Sequence, residues 1–182
     1  MMTFFLHHKL FSANQFGFIK GRSTTLQLIN LINAWTDCLE TGGQVDIVYT
    51  DFEKAFDKVP HKRLLSKLCA YGCNKSITKW IESFLCYRSQ SIKINNAMSD
   101  WSDVLSGIPQ GSVLGPLLFV IYVNDLPQQQ CMYNNSLYMF ADDSKMFKYI
   151  KESNDYDLLK ACCQGLYDLS LIHISEPTRH LR

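Results

Sequence analysis

The sequence predicts an α+β fold in which antiparallel strands are backed by helices, and three observations carry that expectation. Val45–Asp51, VDIVYTD, alternates Val45, Ile47 and Tyr49 with Asp46, Val48 and Thr50, which is the period of a strand. Ser136–Phe147, SLYMFADDSKMF, is an apolar run that ends in two adjacent aspartates and then resumes, the pattern of a hairpin. Around these strands, apolar residues recur at three-four spacing and stop at glycine or begin after proline, as helices do.

Composition bounds the function classes. A chain of 182 residues with 47% hydrophobic and 13% aromatic side chains can build a sizeable core and does not read as disordered. The formal net charge of +1 gives no general attraction to nucleic acid, so such a role must rest on local patches. Seven cysteines, at 38, 69, 73, 86, 131, 162 and 163, form an odd set without a CxxC pair. That argues against a disulfide framework or a zinc site, and for reduced, mostly core cysteines in an intracellular protein. MMTFFL, at the start, is too short for a signal-peptide core. The longest apolar run, Val113–Val123, is 11 residues with Gly115 and Pro116 inside it, whereas a bilayer crossing needs about 20. No membrane role is expected.

Gln15–Thr25, QFGFIKGRSTT, sets Phe16, Phe18 and the cations Lys20 and Arg22 around Gly17 and Gly21. A glycine-bearing loop with an arginine ahead of a helix can grip phosphate through backbone N–H groups and a guanidinium fork; an ordinary basic loop is the alternative. Ser23 or Thr24 caps the helix that follows, Leu28, Leu31, Ile32, Trp35 and Leu39 form its apolar face, and Gly42-Gly43 ends it. Past the first strand, a helix follows Pro60 with Leu64, Leu65, Leu68 and Cys69 on one side and Gly72 as its stop. The next begins at Ser76 and presents Ile77, Trp80, Ile81, Phe84 and Leu85. Ser91–Ile94, the Asn95-Asn96 turn and Trp101–Leu105 read as a hairpin. Basic residues scattered from Lys62 to Lys93 line either a duplex-binding surface or plain solvent.

Ser106–Pro116, SGIPQGSVLGP, is a shaped loop. Its glycines 107, 111 and 115 let backbone approach a partner closely, and Gln110 offers a donor and an acceptor to a base or sugar. Pro116 suits the first turn of a helix over Leu117–Asn124, in which Leu118, Phe119, Ile121 and Tyr122 are core candidates.

In the second hairpin, Leu137–Phe140 form one strand, Asp142-Asp143 the tight turn, and Met146, Phe147 and Tyr149 the return. Like charges at the tip of an apolar hairpin repel unless a cation neutralises them; the plainer reading is a turn that uses aspartate for its φ/ψ tolerance. Asp51 ends the first strand 91 residues before Asp142, where it can meet the hairpin on a neighbouring strand. Three carboxylates together suit a pair of Mg²⁺ ions about 3.5–4 Å apart, the arrangement of in-line phosphoryl transfer. Glu53, Lys54 and Asp57 read as a solvated, salt-bridged face.

Four blocks in fixed order, QFGFIKGRST, DIVYTDFEKAFDKVPH, SGIPQGSVLGPLLFVIYVNDL and FADD, resemble the reverse transcriptase domain of non-LTR (LINE-like) retrotransposons, with group II intron enzymes as more distant relatives. The likeness covers about residues 15–170. It implies a right-hand polymerase with a palm of about 45–61 and 106–170, partial fingers of about 12–44 and 62–105, and no thumb. It further implies an RNA-directed DNA polymerase that joins a dNTP to a primer 3′-hydroxyl on an RNA template with two Mg²⁺ ions, Mn²⁺ being an alternative. Asp51 and Asp142 then look like the metal-binding aspartates, Asp143 their less tightly engaged partner, and the Phe52 carbonyl a further ligand. Phe56 matches the aromatic gate under the sugar, which would clash with a 2′-hydroxyl. Gln110 and Gly111 match the motif beside nucleotide and template base, and Arg22 with Lys20 the fingers residues that hold the triphosphate.

The sequence departs from the family after the palm helix expected at Asp155–Ser170, whose face is Leu158, Leu159, Cys162, Leu166 and Leu169. Residues 171–182, LIHISEPTRHLR, lack apolar periodicity and are expected to be a non-native tail. An inactive truncated remnant that at most binds Mg²⁺ or a nucleotide is the alternative to the enzyme. Expected partners are an RNA template with a DNA primer, dNTP and other parts of the element's polyprotein, in nucleus or cytoplasm.

Overall fold

A computed structural model describes residues 1–128 and 136–174, without the side chains of 128 and 169–174; Cys131 and tail residues 175–182 lie outside the described residues. In chain order the elements are α1 (Met2–His7), α2 (Thr24–Glu40), β1 (Gln44–Thr50), α3 (His61–Ala70), α4 (Lys75–Leu85), β2 (Arg88–Gln90), β3 (Lys93–Ile94), β4 (Ala97–Met98), β5 (Ser102–Val104), α5 (Gly115–Val123), β6 (Ser136–Phe140), β7 (Asp143–Ile150) and α6 (Asn154–Ile174). They form two compact units, one of Met1–Glu53 with the residues from Val123 on, the other of Lys54–Tyr122.

The first unit is built on an antiparallel sheet of order β1-β7-β6. β7 takes the centre because its buried Ser144, Met146, Phe147 and Lys148 need cover on both faces. Its register against β1 runs from Gln44↔Ile150 to Thr50↔Ser144, and against β6 it closes at Phe140↔Asp143. The two-residue connection is therefore Ala141-Asp142, one residue earlier than the expected Asp142-Asp143 turn. Pairing explains the shift, since side chains alternate and only this register puts Leu137, Met139 and Met146 inside together. On the outer edge of β6, Phe16 N–H donates to the Met139 carbonyl (2.8 Å) and Met139 N–H to that of Asn14 (2.8 Å).

Ser23 caps α2 by accepting from Leu26 N–H, as expected. The buried face of this helix differs from the expected one. Gln27 and Leu31 are buried, whereas Leu28, Ile32 and Leu39 are 44%, 54% and 59% exposed. The sheet makes that choice: the Tyr149 hydroxyl donates to the Ala34 carbonyl (3.0 Å), Trp35 meets Phe147 edge-on at 5.9 Å, and Lys145 Nζ donates to Gln27 Oε1. α6 packs on β7 through Leu159, Cys162 and Leu166, fixed at its start by the Lys148–Asp155 ion pair (3.3 Å); its backbone stays helical to Ile174. The opening MMTFFL forms α1, and Phe5 is fully buried beside Phe11, with rings 5.1 Å apart.

In the second unit, α3 ends in a Schellman motif: Cys73 N–H donates to the Leu68 carbonyl and Gly72 N–H to that of Cys69, with Gly72 at φ +78°. Asn74 caps α4 one residue earlier than expected. The faces are again narrower than periodicity suggests, for Leu64, Leu68, Ile81 and Leu85 are buried but Cys69, Ile77 and Trp80 are exposed. The expected hairpin is present as two nested ladders, β2 with β5 and β3 with β4 around Asn95-Asn96. α5 is apolar on all sides and buried on all sides, with Leu118, Val120 and Ile121 fully enclosed. Among the described residues, no helix is long and apolar enough to cross a membrane.

Candidate active site

The β1–β7 ladder brings the chain positions of two of the three carboxylates to its end. Its last pair is Thr50↔Ser144, whose hydroxyls are hydrogen-bonded to each other. Asp51 directly follows Thr50 and Asp143 directly precedes Ser144, so both flank the last pair of the ladder. Asp142 is half-buried in the turn itself, while Asp51 and Asp143 are exposed. Phe52, next in the chain, is half-buried. Among the described residues no ion pair neutralises these three, and no three side chains of the His, Cys, Asp and Glu types converge into a closed ligand group. The donor set is nonetheless all oxygen and uncompensated, which fits a hard cation such as Mg²⁺ or Mn²⁺.

Arg22 and Lys20 belong to the same unit. Arg22 Nη1 donates to the carbonyls of Ser12, Ala13 and Gln15, so this guanidinium staples the 12–15 segment. Burial lowers its pKa from the ordinary value, yet an arginine so placed remains charged. Lys20 is exposed just before Gly21 at φ +83°. Gln15, which sequence reasoning had passed over as part of a basic loop, is fully buried, and its amide engages the Ala141 backbone.

The second unit holds the remaining expected residues. Phe56 stacks on Phe119 of α5, ring centroids 4.3 Å apart and planes 18° from parallel, which fixes the ring's orientation. Phe56 also accepts at its carbonyl from Ile108 N–H (2.9 Å), and Gly107 N–H donates to the Val59 carbonyl (2.9 Å). Gly107 sits at φ +89° where a Cβ would lie 2.6 Å from the Asp57 carbonyl oxygen, so the close approach expected of this loop is made here, against its own chain. Gly111, at φ +77°, faces open space and needs glycine for its backbone angle alone. Gln110 is exposed and its Nε2 donates to Asp57 Oδ1 (3.0 Å). Asp57, expected on a solvated face, thus orients Gln110, and its carbonyl accepts from the Ser106 hydroxyl (2.9 Å). Beneath the loop, buried His61 donates through Nε2 to the Gly107 carbonyl (2.8 Å), and that carbonyl also accepts from Arg88 (3.0 Å).

Comparison with known proteins gives a consistent answer. Residues 2–168 match the model of the family described as reverse transcriptase (RNA-dependent DNA polymerase). The chain is 33% identical over 132 residues to the probable RNA-directed DNA polymerase from transposon X-element of Drosophila melanogaster, covering 71% of this chain and 14% of that protein. It is likewise 33% identical over 118 residues to the RNA-directed DNA polymerase from mobile element jockey of Drosophila funebris, covering 65% of this chain and 13% of the other. It therefore spans about one seventh of the length of these curated relatives. In fold it matches telomerase from Candida tropicalis, solved in complex with the TWJ fragment of telomeric RNA, with a TM-score of 0.69 at 12% identity, over 93% of this chain and 31% of that one. The likeness confirms the mixed fold of helices and antiparallel sheet expected of a polymerase palm. The chain belongs to the reverse transcriptase (RNA-dependent DNA polymerase) family, and the relatives it resembles are those of transposons and other mobile elements.

Proposed function

We propose that this chain carries the nucleotidyl-transfer chemistry of an RNA-directed DNA polymerase, and that it works as part of a longer element protein. The observation that carries the reading is the end of the β1–β7 ladder, whose last pair, Thr50↔Ser144, is flanked by Asp51 on one strand and Asp143 on the other, with Asp142 in the adjoining turn. Asp51 and Asp142 hold the divalent cations, with Asp143 and the Phe52 carbonyl as further oxygen donors. Bound there, Mg²⁺ supplies activation of the primer 3′-hydroxyl and charge neutralisation of the departing pyrophosphate.

The chain's own side chains do the positioning. Phe56, backed by Phe119, presents a rigid face against which a 2′-hydroxyl would clash. Gln110, held by Asp57, and Gly111 border the nucleotide and the template base. Lys20 and Arg22 lend positive charge to the triphosphate. Template and primer are an RNA strand and a DNA strand, and base pairing selects the dNTP. In this reading the palm comprises about residues 45–61 and 106–170, and the fingers about 12–44 and 62–105.

Primer extension on poly(rA)·oligo(dT) with Mg²⁺ and dTTP tests the reading, comparing the chain with Asp142→Asn. Extension that vanishes in the variant supports it. A folded chain that extends nothing favours the second reading, an inactive remnant, which the unclosed ligand group among the described residues also suits.

A further inference from the structure

We propose that Gln15 is a positioning residue that sets the direction of Asp142, an inference that rests on the polymerase reading above. Ala141 has φ +57°, the left-handed region that alanine avoids. Such a conformation persists where the surroundings over-determine it. Here one side chain does so. Ala141 N–H donates to Gln15 Oε1 (3.0 Å), and Gln15 Nε2 donates to the Ala141 carbonyl (3.3 Å). The amide thus pairs both backbone polar groups of Ala141, as a neighbouring strand would. Gln15 Oε1 also accepts from Gly17 N–H (2.7 Å), which fixes the amide in its own turn.

Chemistry explains the residue type. A carboxamide carries a donor and an acceptor on separate atoms of one side-chain end, as the N–H and carbonyl of a single residue require, whereas an ionised glutamate would only accept. Gln15 is fully buried and Ala141 is 4% exposed, so water cannot replace these bonds. Gly17 makes room, because a Cβ there would lie 2.3 Å from Ala141 N. The Ala141 carbonyl belongs to the peptide plane that carries Asp142, so the hydrogen bond from Gln15 orients that plane and the carboxylate beyond it. Arg22, which donates to the Gln15 carbonyl, tethers the same segment.

The test uses Mn²⁺ alone as probe, read by electron paramagnetic resonance, together with amide hydrogen exchange across residues 139–143. Gln15→Met keeps the bulk and removes all three bonds. Leu166→Ala, a buried change on α6 in the same unit that touches none of the three bonds of Gln15, controls for general loss of stability. Gln15→Met is expected to weaken Asp142-dependent Mn²⁺ binding by about tenfold or more and to speed exchange at the turn, whereas Leu166→Ala at a similar fall in Tm does neither. Mn²⁺ affinity unchanged in Gln15→Met, or weakened equally in Leu166→Ala, overturns the proposal while the polymerase reading stands. A wild-type chain that takes up no Mn²⁺ through Asp142 overturns both. If Gln15→Met does not fold, Gln15→Glu decides by the same comparison, since it loses the donor to Ala141 while keeping an acceptor.

Discussion

Two glycines of the loop before α5 make different demands on the same side-chain-free residue. Both have positive φ, and an alanine in that region costs about 1–2 kcal/mol. At Gly111 that is the whole cost, because the Cβ meets nothing within 4 Å. At Gly107 the Cβ also meets the Asp57 backbone at 2.6–2.9 Å, which nothing flexible can relieve. Gly107→Ala is therefore expected to destabilise by more than about 2 kcal/mol and Gly111→Ala by about 1, read as the change in melting midpoint. Equal losses would show that the loop does not rest on Asp57. Phe56 makes the second prediction at this scale. Phe56→Val opens space where the aromatic ring stands, and discrimination against a ribonucleotide should fall by about 10–100-fold in competition assays while dNTP use changes less. Gly107, Gly111 and Phe56 all stand out in the sequence; that Asp57 holds Gln110 does not, since nothing local distinguishes a carboxylate that fixes a distant amide from a solvated one.

Helix α2 shows where periodicity stops being informative. Its apolar residues cover more of the cylinder than the sheet can bury, so spacing alone admits two faces. The sheet selects the one that Gln27, Leu31 and Ala34 share, because Lys145, Phe147 and Tyr149 on β7 offer it a hydroxyl, an ammonium group and an aromatic edge. Leu31→Ala should accordingly cost about 2–5 kcal/mol, and Ile32→Ala, at 54% exposure, only about 0.5. Similar losses in chemical denaturation would mean that α2 sits otherwise. The hairpin displays the same limit in miniature. Its two strands and its carboxylates were legible from alternation and turn residues, but the connection lies one residue earlier than aspartate propensity suggests. Register is a property of two strands together, and the contact from Gln15 that supports Ala141 spans 126 positions in sequence.

Among the described residues, each of the two compact units contains a group whose shifted titration makes that unit acid-sensitive, His61 in one and Asp155 in the other, and the causes are of opposite chemistry. His61, in the unit of Lys54–Tyr122, has its pKa lowered chiefly by burial and secondarily by Arg88, against the raising effect of its bond to Gly107. The unfolded chain then binds a proton near the ordinary value of about 6.5 while the folded unit resists it, so stability is lost as pH falls below that value. Asp155, in the other unit, is held below the usual carboxylate range by N–H donors of Lys151 and Glu152 and, less strongly, by Lys148. Its contribution is present above about 3.9 and is lost only as pH falls toward the lowered folded value. Acidification from pH 7.5 to 5.5 should therefore loosen Lys54–Tyr122 first. Trp80 and Trp101 report on that unit and Trp35 on the other, so single-tryptophan variants melted across this range separate the two. The Trp80 signal should lose stability by pH 5.5 while the Trp35 signal holds, and His61→Gln should remove the difference in slope at the expense of stability at pH 7.5. Parallel loss in both signals would mean instead that the units melt as one or that His61 is not the group responsible.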